Sequence, residues 1–103
     1  MVYILRFVQE YAVGERERFM ELEARFAEME RRRPDWPTGR RSQVLAGGEP
    51  TNALICESEF ATLPELHGAL ERIAADLEHD ELFAQQAPFI TRARTEILET
   101  LDL

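Results

Sequence analysis

The sequence has little cysteine and no long apolar run. Cys56 is the single cysteine among 103 residues, so the chain cannot form an intramolecular disulfide or a multi-cysteine metal cluster, which fits a reducing compartment. No apolar segment approaches the roughly 20 residues that span a bilayer, and no basic segment precedes the N-terminal VYILRFVQ. These absences predict a cytoplasmic protein that does not enter a membrane. We interpret Cys56 as a small buried apolar residue rather than a nucleophile.

Positive charge is scarce as well. Twelve Lys and Arg residues stand against twenty Asp and Glu residues, which gives a net charge of -8. A chain with this charge repels a phosphate backbone, because the polymer and the protein are both negative. We therefore expect no nucleic-acid partner.

Motifs for phosphate binding, nucleophilic catalysis and metal binding are missing. The glycine pair in residues 47–50 (GGEP) precedes a proline instead of a helix, so it lacks the amides that hold a phosphate. No GxSxG elbow is present. His79, Asp80 and Glu81 are adjacent donors whose spacing cannot bring ligands to one point, so we predict no metal site and interpret His79 as a solvated loop residue.

The first third of the chain reads as a strand followed by a helix. Residues Val2 to Tyr11 are rich in branched and aromatic side chains, as is typical of a strand. Gly14 then opens a pattern with apolar residues at steps of three and four, which predicts an amphipathic helix. Pro34 and Pro37 stop it, because the residue before a proline is pushed out of the helical region.

The remaining elements complete the order β-α-β-β-α-β in one domain covering residues 1–103. Two strands, RRSQVLA and NALICESEF, form a hairpin within residues 38–60. Thr62 and Glu65 have the spacing of a capping box and begin a helix. We expect a short helix from Asp80 to Ala87, capped by Asp80, and a last strand from Phe89 to Leu101.

Alternation along the four strands predicts two different faces of one sheet. The uncharged face suits the two helices, and within the hairpin it is assigned Ser42, Val44, Leu54, Cys56 and Phe60. The opposite face mixes arginines and glutamates with aliphatic residues, and we expect it to pack on a second copy of the chain under two-fold symmetry. The predicted dimer interface consists of Ile4, Arg6, Arg41, Gln43, Ile55, Glu57, Glu59, Arg92 and Arg94.

Several stretches resemble a known superfamily. The element order, the hairpin with its central GG turn, the segment ESEFATLPELHGALERIAAD and the HDELFAQQAP turn before the last strand are similar to the dimeric α/β-barrel superfamily, and most similar to small NIPSNAP-like proteins. The resemblance implies a ferredoxin-like protomer with a four-stranded antiparallel sheet that forms a barrel with its partner. It also implies that activity varies widely, because the superfamily includes cofactor-independent monooxygenases, isomerases and haem-handling enzymes.

Three functional hypotheses remain open, and whether the chain is an enzyme is undecided among them. The first is a homodimer that binds a small apolar or carboxylate-bearing molecule between sheet and helices. The predicted ligand-binding residues are Tyr3, Phe7, Trp36, Cys56, Phe60 and His67. The second is a cofactor-independent monooxygenase or isomerase for a small aromatic or carbonyl substrate, with His67 as base and Tyr3 or Arg6 polarising a carbonyl. The third is a structural or partner-binding dimer. We expect no cofactor, because the first strand lacks the asparagine that a haem-degrading relative would use.

Overall fold

The computed structural model describes all of residues 1–103, which form one four-stranded antiparallel sheet and three α-helices. The strands lie in the order β2-β3-β1-β4. The elements are β1 (Tyr3–Tyr11), α1 (Arg16–Arg31), β2 (Arg40–Gln43), β3 (Ala53–Phe60), α2 (Leu63–Ala75), α3 (Leu77–Gln86), a 3-10 turn (Ala87–Phe89) and β4 (Ile90–Glu99). The predicted ferredoxin-like α+β fold is therefore confirmed. None of the helices is both long and apolar enough to cross a membrane.

Helix α1 forms where its apolar spacing predicts it. Phe19, Leu22, Phe26 and Met29 are all buried, so the residues at steps of three and four do form one packed stripe. The ring of Phe19 lies 5.0 Å from that of Tyr11, at the end of β1. This contact and the burial of Leu54 in the same cluster anchor the start of α1 to the centre of the sheet.

Helix α2 begins with the predicted cap. The Thr62 hydroxyl accepts a hydrogen bond of 3.2 Å from the Glu65 backbone amide, which satisfies one of the amides that a helix start leaves free. Leu66 and Ala69 on this helix are buried, and α2 contacts both β3 and β1. The helix therefore covers the central strands on the same side as α1.

Helix α3 begins earlier than its predicted start at Asp80, and that prediction was wrong. Asp76 is the cap residue, because its Oδ1 accepts a hydrogen bond of 2.8 Å from the backbone amide of His79. Arg33 pairs with both Asp76 and Glu78, and these ion pairs also favour a start at this position. As a result His79 lies on a helix and is half-buried, so its interpretation as a solvated loop residue was also wrong.

The faces of β2 are opposite to those predicted. Arg41 pairs with Cys56 and Gln43 pairs with Leu54, so both face the helices, whereas Ser42 pairs with Ile55 on the other face. The strand itself ends at Gln43, so the rest of RRSQVLA lies in the connection to β3. Ten residues separate Gln43 from its partner Leu54, and a connection of that length does not fix the register in the way a tight turn does. The prediction failed by one residue, which exchanges the two faces.

Candidate functional site

A cavity of about 280 Å³ lies between the sheet and helices α1 and α3. One part of its wall is apolar and comes from β1, α1, α3 and the α1–β2 connection: Leu5, Phe7, Phe26, Met29, Trp36 and Phe83. The other part is polar: Gln9, Glu23, Glu30, Arg41, Cys56, Ser58, His79, Gln86, Arg94 and Thr95. The cavity therefore combines aromatic surface with a few polar groups, as small-molecule sites usually do.

The structure brings together half of the ligand-binding residues predicted from sequence. Phe7, Trp36 and Cys56 line the cavity. Tyr3 and Phe60 do not, because they pair with each other at the opposite end of β1 and β3. His67 lies exposed on α2 and is also outside the cavity.

Arg41 and two carboxylates of α1 form an ion-pair network in the polar wall. The Arg41 Nε donates to Glu23 at 2.5 Å, and its Nη2 and Nη1 donate to the two oxygens of Glu30 at 2.6 and 3.2 Å. Burial disfavours the charge on Arg41, but Glu30 and Glu23 more than offset this effect and raise its pKa. The guanidinium is therefore charged at all ordinary pH values. Sequence reasoning placed Arg41 at the dimer interface, because it assigned the wrong face to β2.

Glu23 is nearly as well satisfied as Arg41. The residue is only 7% exposed, and the second oxygen of its carboxylate accepts a hydrogen bond of 2.8 Å from Gln86 on α3. The network thus holds two carboxylates and one guanidinium, which leaves one negative charge in the wall. The sequence analysis did not predict that Glu23 is buried. Its position next to Leu22, in the apolar stripe of α1, was the signal that could have indicated it.

Cys56 faces the cavity beside the α1–β2 connection. A Cβ atom placed on Gly39 would lie 2.3 Å from its Sγ, so the backbone passes very close to the thiol. Burial raises the Cys56 pKa to about 11, although nearby Arg41 acts in the opposite direction. Cys56 therefore stays a thiol at neutral pH, which supports its interpretation as a packing residue.

His79 is the titratable ring of the cavity. Its imidazole lies 5.2 Å from the ring of Phe26 and is stacked 6.4 Å from the ring of Phe83. Burial lowers the His79 pKa, which favours the neutral form. Nδ1 is sealed from solvent without a hydrogen bond, and the Oδ1 of Asp80 lies 3.9 Å away. A neutral imidazole can accept one hydrogen bond and donate another.

Ion pairs hold the α1–β2 connection against the start of α3. Arg33 pairs with Asp76 and donates to Glu78 at 2.6 Å, and Arg32 donates to the other oxygen of Glu78 at 2.6 Å. The guanidinium carbon of Arg33 also lies 4.7 Å from the centre of the Trp36 ring, within range of a cation–π contact. These contacts fix Trp36 in the cavity wall.

The other face of the sheet carries a row of alternating charges. From β4 to β2 the row consists of Glu96, Arg6, Glu57 and Arg40, one residue on each strand. We call it the charged row. Arg6 donates to Glu57 at 3.2 Å, and it lies 3.8 Å from Glu96. Neighbouring rows contain the other predicted interface residues that lie on this face: Ile4, Ile55, Glu59, Arg92 and Arg94.

The architecture places the chain in the class of ferredoxin-like α+β proteins. It is similar to the crystal structure of a NIPSNAP family protein from Agrobacterium tumefaciens, with 14% identity, a TM-score of 0.77, and coverage of 99% of this chain and 95% of that chain. An uncharacterized NIPSNAP domain protein from Burkholderia xenovorans gives 14% identity and a TM-score of 0.79, covering 98% and 95%.

A further solved structure with this fold is SnoaB, a cofactor-independent oxygenase from Streptomyces nogalater. It is 13% identical, with a TM-score of 0.67 over 99% of this chain and 95% of that chain. No protein-family model matches the chain, and no curated protein matches it. At these identities the likeness confirms the predicted resemblance at the level of the fold. No group of three or more His, Cys, Asp or Glu residues is placed to hold a metal ion.

Proposed function

We propose that this chain is a homodimeric protein that binds a small molecule in the cavity between the sheet and helices α1 and α3. The observation that supports the proposal is the cavity itself: about 280 Å³ of space lies between the sheet and the two helices, and part of its wall, such as Phe83, is exposed to solvent. Protein interiors normally leave few voids larger than a water molecule, and ligand pockets begin at about 300 Å³. At about 280 Å³ the space lies just below that range, so it fits only a compact ligand.

The chemistry of the wall favours a flat, largely apolar ligand. Phe7, Phe26, Trp36 and Phe83 offer aromatic surface, and aromatic rings attract one another through offset or edge-to-face contacts. The polar groups are already paired or neutral, so they orient a ligand without demanding an ionic partner. Of the two ligand types expected from the sequence, apolar and carboxylate-bearing, the wall therefore favours the apolar one.

The proposed dimer uses the face with the charged row. Leu98 is 37% exposed there, and a groove of about 400 Å³ lies on the same face, lined by Ile4, Thr38, Arg40, Glu57 and Glu59. Aliphatic side chains between paired charges are typical of interfaces, because the pairs keep their hydrogen bonds when water is excluded. Arg41 and Gln43 are no longer part of this proposal, since they face the helices.

The alternative of a cofactor-independent oxygenase or isomerase has less support. SnoaB shares the fold and is described as a cofactor-independent oxygenase. However, the predicted base His67 is exposed on α2 and does not line the cavity, and Tyr3 lies outside it as well. A reaction would need other groups than those predicted, whereas binding needs only the cavity.

Trp36 allows a direct test, because it is the only tryptophan of the chain and lines the cavity. We expect naphthalene to change its fluorescence saturably, with one molecule bound per chain. The variant Ala93→Phe places a ring in the cavity and should weaken binding at least about tenfold, or about 1.4 kcal/mol. Ala24→Phe, on the exposed side of α1, is the control and should bind as the unmodified chain does. Absence of saturable binding by any flat apolar probe would refute the proposal.

A further inference from the structure

We propose that the cavity selects neutral aromatic molecules that carry one hydroxyl or N–H donor, and that His79 accepts the hydrogen bond from that donor through Nε2. The inference rests on the proposed binding function and adds the chemical class of the ligand. It also assigns to His79 a recognition role that neither the sequence motifs nor the fold supplies.

The position of His79 is the first step. The imidazole stands between Phe26 and Phe83, so a flat ligand that stacks on these walls lies beside a ring nitrogen. Among the polar groups of the wall, Glu23, Glu30, Arg41 and Gln86 are already hydrogen-bonded to one another. The His79 ring forms no hydrogen bond to any of these groups, and because its Nδ1 is sealed from solvent, Nε2 is the ring nitrogen left for a ligand.

The tautomer follows from the surroundings of Nδ1. This atom is sealed from solvent, and the Oδ1 of Asp80, at 3.9 Å, is a carboxylate acceptor on its side of the ring. A proton on Nδ1 points toward that negative charge, whereas a lone pair would face it. Nε2 then carries the lone pair, so the atom open to a ligand is an acceptor.

The charge state of His79 supports the same role. Burial lowers its pKa, and the opposing effects of Asp80, Asp76 and Glu30 are smaller. The ring is thus neutral near pH 7, and Nε2 keeps its lone pair. A protonated ring would offer only donors and would attract anions instead.

The ion-pair network argues against a carboxylate ligand. An arginine in a cavity usually suggests an anionic ligand, but here Glu23, Glu30 and the Gly39 carbonyl accept four hydrogen bonds from the five N–H donors of Arg41. One negative charge remains in the wall after Arg41 is paired. Arg94, the other arginine of the wall, is paired with Glu49, so a bound carboxylate would be desolvated beside that charge without an unpaired cation, which is costly.

Four probes with the same two-ring skeleton separate these claims: naphthalene, 2-naphthol, 2-methoxynaphthalene and 2-naphthoate. We expect 2-naphthol to bind roughly tenfold tighter than naphthalene at pH 7, as a hydrogen bond to a buried acceptor allows. The methoxy compound has an acceptor but no donor, so it should bind no better than naphthalene. The naphthoate should bind more weakly than all the others. Binding is measured by Trp36 fluorescence and by calorimetry.

Two variants test the role of His79. His79→Phe keeps a ring in the wall but removes the acceptor. The affinity for 2-naphthol should therefore decrease to that for naphthalene, and the affinity for naphthalene should not change. His67→Phe makes the same exchange on the exposed side of α2 and should change neither. Retained naphthalene binding also shows that each variant is folded.

Each other outcome overturns a distinct claim. Equal affinity of 2-naphthol and naphthalene for the unmodified chain, or an unchanged preference in His79→Phe, refutes the role of His79 and leaves the binding function intact. Tight binding of 2-methoxynaphthalene refutes the proposed tautomer and with it the donor requirement. If none of the four compounds binds, the binding function itself is refuted.

Discussion

Arg40 and Arg41 are neighbours in the chain but lie in opposite surroundings. The side chain of Arg40 is 81% exposed and lies at the end of the charged row, 3.8 Å from Glu57. The side chain of Arg41 is 20% exposed and joins two carboxylates of α1. The same residue type therefore has two different energetic roles within one strand.

Replacing Arg41 by alanine tests the energetic role of the buried network. The change leaves the carboxylates of Glu23 and Glu30 buried without a cation, and we expect the free energy of unfolding to fall by about 3–5 kcal/mol. Arg25→Ala, at an exposed position of α1, is the matched control and should change it by less than about 0.5 kcal/mol. Urea unfolding at one fixed protein concentration measures both. Equal midpoints for the two variants would show that the network contributes nothing to stability.

The burial of His79 could not be predicted from its neighbours in the sequence. The residue follows Glu78 and precedes Asp80, and this charged context favours a solvated position when only neighbours in the chain are considered. The decisive contacts come from Phe26, which is far away in sequence. Phe7, Trp36 and Cys56 do line the cavity, and strand alternation, a local signal, puts Phe7 and Cys56 on the face toward the helices.

At the scale of elements, the α1–β2 connection stands out for its close approach to β3. The backbone at Gly39 lies against the Sγ of Cys56, and its amide donates to Glu30 at 3.0 Å. The connection thus joins the end of α1, the start of β2 and the middle of β3. A side chain at this position has no room.

Gly39→Ala tests that close approach. The added methyl would overlap the Cys56 thiol, and we expect the free energy of unfolding to fall by about 1–3 kcal/mol. The same change in a Cys56→Ala background should cost clearly less, because the overlapping atom is gone. Gly48→Ala is the control, since nothing lies within 4 Å of its added methyl. A Gly39→Ala cost that is unchanged in the Cys56→Ala background would contradict the proposed contact.

The existence of the elements was predictable, but the register of one of them was not. Apolar spacing gave α1 its buried stripe, and the Thr62 cap marked the start of α2. Both signals are local, so sequence alone carries them. The face of Arg41 depends on how β2 pairs with β3 across a long connection, and the start of α3 depends on packing against α1. Neighbouring residues in the sequence therefore determine neither the face of Arg41 nor the start of α3.

At the scale of the whole molecule, the central prediction is the homodimer. Ile4 lies beside the charged row, and Ile4→Arg would place a cation without a partner in the proposed interface. We expect light scattering to give twice the chain mass of 11.9 kDa for the unmodified protein at micromolar concentration, and the single-chain mass for Ile4→Arg. Ala24→Arg, on the exposed side of α1, should stay dimeric. A single-chain mass for the unmodified protein would contradict the proposal.

The charged row also restricts the symmetry that such a dimer can have. From β4 to β2 the charges of the row are negative, positive, negative and positive. When the order is reversed, each position carries the opposite charge. A two-fold axis parallel to the strands reverses the row of the second copy, so every glutamate faces an arginine. An axis along the row leaves the order unchanged, so each charge faces its own kind and repulsion results. The sign pattern of four side chains thus favours one orientation of two identical sheets and disfavours the other.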